Sequence, residues 1–361
     1  MVTPLAARSA TSRRRRTSRG RDAGAGMTRE AAPAEAVDRA RHAAARHLSV
    51  RPEAISLELL DLRRSVRPIF LARAGDRELV VRQYVDGAFL DGAARRLAAV
   101  AAIDDRIEVP RLLAVETTDL LLLMSVVHGV PLLRRLEGSR EEAATASERA
   151  GAAIAILHGS PIAFPDRKGR RAALDGSARM VAKYGRAARE HAAGAGDLAR
   201  SSTVEDDAAR AREGFRLAER LLAGLPEGRL VPTHGDLGPG QLIDCGRRLA
   251  ILDFDRAVTA ERALDLGLYL AKLTRELPGG AAEHAEQAGH FLAGYASEGD
   301  LPPRPAIDAY TLVILLRKLA RATRPPSLTA AWEAATADAR AATAGPLRAA
   351  IDRILETGSL S

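Results

Sequence analysis

Beyond Gly129 the sequence is helical by period and propensity over most of 139–223 and 262–357, and one β interruption divides the two stretches. It consists of two short apolar segments, Gln241–Ile243 and Leu249–Phe254, around the turn Asp244-Cys245-Gly246. Just before it stands Val231-Pro-Thr-His-Gly-Asp-Leu-Gly-Pro-Gly-Gln241, and it ends in Ile251-Leu-Asp-Phe-Asp255. Asp236 lies in a tight glycine-containing loop, with Gln241 five residues later and Asp253 seventeen residues later. A hairpin of two short strands brings these three oxygen-bearing side chains to one end. Hard oxygen donors in that number suit Mg2+, which binds few protein carboxylates and keeps waters and phosphate oxygens.

The first 129 residues have another character. Residues 34–48 (AEAVDRARHAAARHL) read as an amphipathic helix. Ile55–Leu62, Pro68–Ala74 and Glu78–Val85 read as strands, the last two joined by the turn Ala74-Gly75-Asp76-Arg77. An alanine-rich helix near 89–103 follows, then strands over 109–115 and 120–127. The pattern predicts a disordered basic tail over 1–30, a β-rich lobe over 31–128 and a helical lobe over 129–361. Within the last, the many Gly, Arg and Ser residues of 165–205 predict a poorly ordered insertion. The expected class is α+β, a small antiparallel β lobe plus a large, mainly helical lobe.

Aromatic residues are 3% of the chain against 47% hydrophobic overall, so the core is built from Leu, Val, Ile and Ala. Of 54 basic residues only Lys168, Lys183, Lys272 and Lys318 are lysine, and nothing before residue 168 offers an ammonium group. The net charge of +8 is concentrated at one end, because residues 1–26 hold seven arginines against Asp22 alone. The remainder is nearly balanced, which gives no support to a general polyanion-binding surface or a specific nucleic-acid partner. The longer apolar stretches, Leu97–Ile103 and Leu120–Val127, fall short of the roughly 20 residues of a membrane span. The charges of the tail are followed by Asp22-Ala-Gly-Ala-Gly, not the apolar run of a secretory signal, and Met27 offers a second start. Cys245, the one cysteine, excludes an intramolecular disulfide and a cysteine zinc site and points to a reduced, cytoplasmic setting.

The pattern His-Gly-Asp, an amide residue five positions after the aspartate, then an apolar residue with Asp-Phe-Asp, resembles the aminoglycoside phosphotransferase and choline kinase-like family, of protein-kinase-like fold. The likeness extends to Ala153–His158, to Ala263-Leu-Asp-Leu-Gly267, to Leu121–Met124 with Gly129 as a connector, and to Val80-Val81-Arg82. It implies transfer of the γ-phosphoryl group of ATP, or GTP, to a hydroxyl of a small molecule with Mg2+. Asp236 is then the aspartate that orients the acceptor hydroxyl and accepts its proton. Asp253 and Gln241 are the metal ligands. Arg82 contacts the nucleotide phosphates, and backbone groups around Ser125–Val127 hold the adenine edge. His234 braces the loop, and Asp265 caps or anchors the helix that follows.

Three departures from the family pattern stand out. Gln241 replaces a usual Asn, Arg82 replaces a usual Lys, and Leu62–Phe70 holds no glycine-rich phosphate loop, while residues 86–103 have no Glu to pair with Arg82 and only Asp91 nearby. Arginine keeps its charge and binds phosphate in a bidentate manner, but the two cations are not interchangeable. These departures keep a second reading open, a catalytically impaired, nucleotide-binding regulatory protein. Asp255 is either a group beside the metal or a strand-end residue, His158 reads as a buried structural histidine, and Arg82 can also be read as an ordinary strand residue. Residues 301–361 carry eight basic and five acidic side chains, which favours a neutral or anionic acceptor over a polycation.

Overall fold

The computed structural model describes residues 34–61, 68–195, 198–323 and 343–359. The basic tail and most of Leu62–Phe70 lie outside them. In chain order the helices are α1 (Ala34–Leu48), α2 (Gly87–Val100), α3 (Leu132–Leu136), α4 (Arg140–Gly159), α5 (Arg170–Ala195), α6 (Leu198–Leu222), α7 (Arg262–Glu276), α8 (Ala281–Glu298), α9 (Arg304–Ala322) and α10 (Ala344–Thr357). The strands are β1 (Ser56–Asp61), β2 (Ile69–Ala74), β3 (Arg77–Gln83), β4 (Ile107–Glu108), β5 (Leu112–Glu116), β6 (Leu121–Met124), β7 (Val130–Pro131), β8 (Arg167–Lys168), β9 (Leu230–Thr233), β10 (Leu242–Asp244), β11 (Leu249–Ile251) and β12 (Val258–Glu261). They form two units, one of 34–61, 68–94 and 110–129, the other of 95–109 and the described residues from 130 onward.

The first unit is a five-stranded antiparallel sheet in the order β1-β2-β3-β6-β5. β2 and β3 meet at the two-residue turn Gly75-Asp76, with Ala74 opposite Arg77, as the turn residues predict. α1 covers one face with Ala40, Ala43, Ala44 and Leu48, against Phe70, Ala72, Leu79, Val81, Leu121 and Leu123. Small alanines let the helix lie close to the β-branched and leucine face. The end of α1 is tied down where Arg77 Nη1 donates to Leu48 O at 2.6 Å.

The second unit is mainly helical but contains two small sheets. One runs β4-β11-β10-β7, the other β8-β12-β9. α4 begins with a reciprocal cap in which Ser139 and Glu142 satisfy each other's backbone N–H groups. α7 lies against α8 through the stacked rings of Tyr269 and Phe291, 3.8 Å between centroids. α9 packs against α5, α6 and α7.

The disordered insertion expected within 165–205 is overturned. That stretch forms β8, α5 and the start of α6. Gly176, Gly185 and Gly194 each weaken the helix by about 1 kcal/mol relative to Ala, but the alanines and arginines around them are strong helix formers and α5 packs along α6 and α9. A cavity of about 460 Å3 opens among α5, α6 and α9, lined by residues such as Val181, Ala208, Phe215 and Leu319, and neither Asp236 nor Asp253 borders it. No helix among the described residues is long and apolar enough to cross a membrane.

Candidate active site

β9 and β12 pair antiparallel with Thr233 opposite Val258, so the whole stretch from His234 to Ala257 leaves from and returns to one strand pair. Thr233 Oγ1 donates to Val258 O at 2.6 Å and locks that neck. Within the stretch, β10 and β11 form the hairpin expected from the sequence, with Leu242 opposite Ile251. Leu252 N donates to Gln241 O at 3.0 Å, so Gln241 stands across from Leu252, one residue from Asp253. The far turn is held by Arg149, which reaches Asp244 Oδ1 at 2.8 Å and Gly246 O at 2.6 Å.

The loop bearing Asp236 rests on a buried polar network. Asp265, in the first turn of α7, accepts the His234 amide at 2.6 Å on Oδ2 and the Gly235 amide at 2.9 Å on Oδ1. His158 Nε2 lies 3.2 Å from the same Oδ2, and its Nδ1 lies 2.9 Å from Tyr295 Oη. His234 places Nε2 at 2.7 Å from Leu252 O, while its Nδ1 accepts the Asp236 amide at 3.3 Å. Both nitrogens of each ring thus lie within hydrogen-bond distance of a partner. Burial pushes the Asp265 carboxyl up, but the hydrogen bond from His158, and then His234, outweigh it and hold the group below its ordinary value. The helix cap is Glu261, not Asp265; Asp265 anchors the preceding loop instead. His158 and Asp265 are buried completely or nearly so.

Two backbone positions are specific to this geometry. Gly235 has φ 74°, and a Cβ there would stand 2.1 Å from Arg256 O, so the loop tolerates only glycine at that crossing. Asp253 adopts φ 64° and ψ 60°, the left-handed region, at a cost of roughly 1–3 kcal/mol for a residue with a side chain. It opens the short turn Phe254–Arg256, and Phe254 is buried beside His234, 5.2 Å between ring centroids.

Asp236 faces outward from this frame, its side chain 45% exposed. Lys272 Nζ lies 3.0 Å from Asp236 Oδ1, donates to Asp236 O at 2.6 Å and to Gln241 Oε1 at 3.2 Å. Arg256 Nε is 3.9 Å from Asp236 Oδ2. Partial burial raises the Asp236 carboxyl, but Lys272, then His234 and Arg256, more than compensate and leave it below the usual range, so it is ionised at neutral pH. Lys272 reaches the loop beneath Gly238, where a Cβ would fall 2.3 Å from Lys272 Cδ. The motif spacing by itself gives Lys272 no role. A signal was present, because Lys272 follows Asp265 by seven residues, two turns along one face of α7.

Around the same carboxylate stand further cations. Arg317 and Lys318 on α9 lie within electrostatic reach of Asp236, and Lys168 at the end of β8 lies within reach of Arg317 and Arg256.

Asp253 and Gln241 offer a carboxylate and a neutral amide oxygen at one end of the hairpin, a donor set that suits Mg2+ completed by water and phosphate oxygens. The amide oxygen of Gln241 is already bonded to Lys272, so it joins a metal only by sharing or exchanging that bond.

In the first unit, Arg82 is on the central strand β3, opposite Ile69 and Leu122, with its guanidinium 5.4 Å from the centroid of the Tyr84 ring. Asp91, on α2, is exposed. Ser125 follows β6 and is committed within the unit, its amide donating to Arg111 O and its Oγ accepting the Arg111 amide, both at 2.9 Å. Val127 is buried.

The architecture is an α+β protein-kinase-like fold made of an antiparallel sheet unit and a mainly helical unit, with a hairpin bearing oxygen donors and a half-buried aspartate on the loop before it. The model of the phosphotransferase enzyme family (APH) matches residues 56–307, and the chain belongs to that family. It is therefore a phosphotransferase. No curated protein matches it. Among solved structures it is similar to a choline/ethanolamine kinase family protein from Mesorhizobium loti, at 21% identity over 89% of this chain and 98% of that one, TM-score 0.56. It is similar to a macrolide 2'-phosphotransferase from Brachybacterium faecium, at 20% identity over 86% and 98%, TM-score 0.54. It is also similar to an amicoumacin kinase in complex with AMP-PNP and Ca2+, at 12% identity over 86% and 90%, TM-score 0.56. At these identities the likeness concerns the fold.

Proposed function

We propose that the protein is a small-molecule kinase that moves the γ-phosphoryl group of ATP or GTP to a hydroxyl group. The observation that carries this reading is the ionised, outward-facing Asp236 carboxylate on a loop braced by a buried histidine–aspartate network. Phosphoryl transfer asks little covalent chemistry of the protein and much positioning. Asp236 accepts a hydrogen bond from the acceptor hydroxyl and takes its proton as the oxygen–phosphorus bond forms. The bond from the γ-phosphorus to the bridging oxygen breaks, and the nucleoside diphosphate leaves. A carboxylate of low pKa is a weak base, but a loose transition state needs orientation before it needs basicity.

A divalent cation, Mg2+ in this reading, neutralises charge on the transferred group when bound, held by Asp253 with Gln241 as a second oxygen. Arg82 contacts the nucleotide phosphates, and the backbone at Val126–Val127 takes the adenine edge, since the Ser125 amide is already used. The single, half-buried Cys245, whose thiol burial and Glu108 push up to about 12, is unreactive and suits a reduced cytoplasmic setting. The test is nucleoside diphosphate release across a panel of hydroxylated acceptors, with Mg2+ and ATP or GTP. Turnover in the wild type that disappears in Asp236→Asn is the expected result. Nucleotide binding with no turnover on any acceptor would favour the catalytically impaired regulatory protein.

A further inference from the structure

Two of the four lysines in this chain, Lys272 and Lys318, and two of its arginines, Arg256 and Arg317, lie near one carboxylate, that of Asp236, and a third lysine, Lys168, lies near the two arginines. In a chain that otherwise uses arginine almost exclusively, that distribution is not compositional drift. The five cations come from separate elements, β8, the turn after Asp253, α7 and α9, so folding assembles them.

They are also short of anions. Lys272 is matched to Asp236, and Arg256 reaches the same group from 3.9 Å. The nearby Glu276 is engaged by Arg275. Among the described residues, Lys168, Arg317 and Lys318 make no ion pair and no side-chain hydrogen bond, and Arg317 Nε is a buried donor with no partner. None of the three is exposed. Partly buried cations held together without partners cost free energy that a structural role does not explain. Burial, followed by the charge of neighbouring cations, holds Lys168 and Lys318 below their ordinary pKa, and for Arg317 burial outweighs the opposing pull of Asp236. Arg256, Lys168 and Tyr184 of α5 are further titratable groups near Arg317.

Given the kinase reading, on which this step rests, we infer that the face around Asp236 takes an acceptor that itself carries a carboxylate or phosphate group. A hydroxyl bonded to Asp236 then lies beside the anion that Arg317, Lys318 and Lys168 hold, and their unused donors become bonded. A guanidinium suits such an anion because it forms two parallel hydrogen bonds. A polycationic acceptor meets the reverse, four or more like charges around one carboxylate. The anion could in principle be the phosphate of the nucleotide and not that of the acceptor, and the test separates the two.

The full-length protein is titrated with inorganic phosphate in a calorimeter without nucleotide, as wild type, Arg317→Gln and Lys318→Met. Stabilisation by Mg2+ with AMP-PNP is measured on the same three proteins, and turnover is compared for glucuronate, glucose 6-phosphate, glucose and glucosamine. Losing one charged contact should weaken phosphate binding about tenfold, while the nucleotide shift is retained and turnover favours the two anionic sugars. Each substitution removes an unpartnered cation, so both variants should melt at or above the wild-type temperature, which verifies their folding. Three results overturn the inference: phosphate binding that is absent or equal in all three proteins, loss of the nucleotide shift together with phosphate binding, or preferred turnover of glucosamine. Phosphate binding that depends on Arg317 and Lys318 in a wild type with no nucleotide shift would instead defeat the kinase reading and leave the anion site standing.

Discussion

The two sides of the loop that carries Asp236 are built on opposite terms. Behind it, Asp265, His158, His234 and Tyr295 are buried and every polar atom described there has a partner. In front of it, Asp236 lies among cations, two of which, Arg317 and Lys318, lack partners among the described residues. A polar group buried with its bonds complete is accounted for by the fold. A group buried with its bonds incomplete is not, and its missing partner is naturally sought outside the chain. Both carboxylates are held below their ordinary pKa, yet for different reasons: Asp265 by hydrogen bonds that shape the loop, Asp236 by a lysine that leaves its outer face open.

The largest expected effect breaks the rear side. Asp265→Asn removes an acceptor from two backbone amides and from His158 in a dry site, and should destabilise the protein by about 3 kcal/mol or more in urea denaturation at pH 7. Because the folded pKa is depressed, this stabilisation is present above the ordinary aspartate value near 3.9 and is lost as pH falls through the lower folded value. The gap between wild type and variant should therefore close below about pH 4. A variant as stable as wild type would remove the brace from the account.

The next effect is on the seam between the sides. Gly238→Ala drives a methyl group into the stem of Lys272. Lys272 is too buried to escape into water, so the expected cost is about 1–3 kcal/mol, together with loss of turnover as the ammonium leaves Asp236. Unchanged kinetics in this variant would show that Lys272 is not needed at the carboxylate.

The smallest effect is on the front side. Lys318 sits near pKa 7, lowered first by burial and then by Arg275 and Lys272, with Asp236 and Glu276 pulling the other way. Between that value and the ordinary lysine range the unfolded chain holds a proton that the folded one has released. Stability should therefore rise with pH through this window, and Lys318→Met should flatten the rise while stabilising the protein at and below neutrality. Melting curves from pH 6 to 10 measure it; parallel curves for the two proteins would contradict the assignment.

The difference between the two sides also explains how much could be read from the sequence. The residues of the loop and hairpin were legible because backbone geometry ties them to short spacings: a glycine at the crossing over Arg256, an aspartate after a three-residue strand. The β2–β3 turn and the alanine face of α1 were legible for the same local reasons. β9 and β12 escaped notice because four-residue strands containing Pro232 or Glu261 have no readable alternation, although their pairing creates the neck of the site. The glycines of α5 suggested disorder because the packing that outweighs them comes from α9, more than a hundred residues later. Lys272 had its spacing from Asp265 to mark it, whereas Lys168, Arg317 and Lys318 were visible only as a charge excess. Nothing local says that a two-residue strand and α9 bring their cations near those of α7 and the turn after Asp253.

The most direct measurement of the central claim is thermal unfolding with and without Mg2+ plus ATP or GTP, for wild type, Asp253→Ala and Asp236→Asn. A nucleotide at about 100 times its dissociation constant stabilises the fold by about 2.7 kcal/mol, a shift of a few degrees. The account predicts a Mg2+-dependent shift in the wild type, its loss in Asp253→Ala, and its retention in Asp236→Asn, which binds nucleotide but turns nothing over. No shift with either nucleotide, or an equal shift in Asp253→Ala, would contradict the assignment of the hairpin as the metal–nucleotide site.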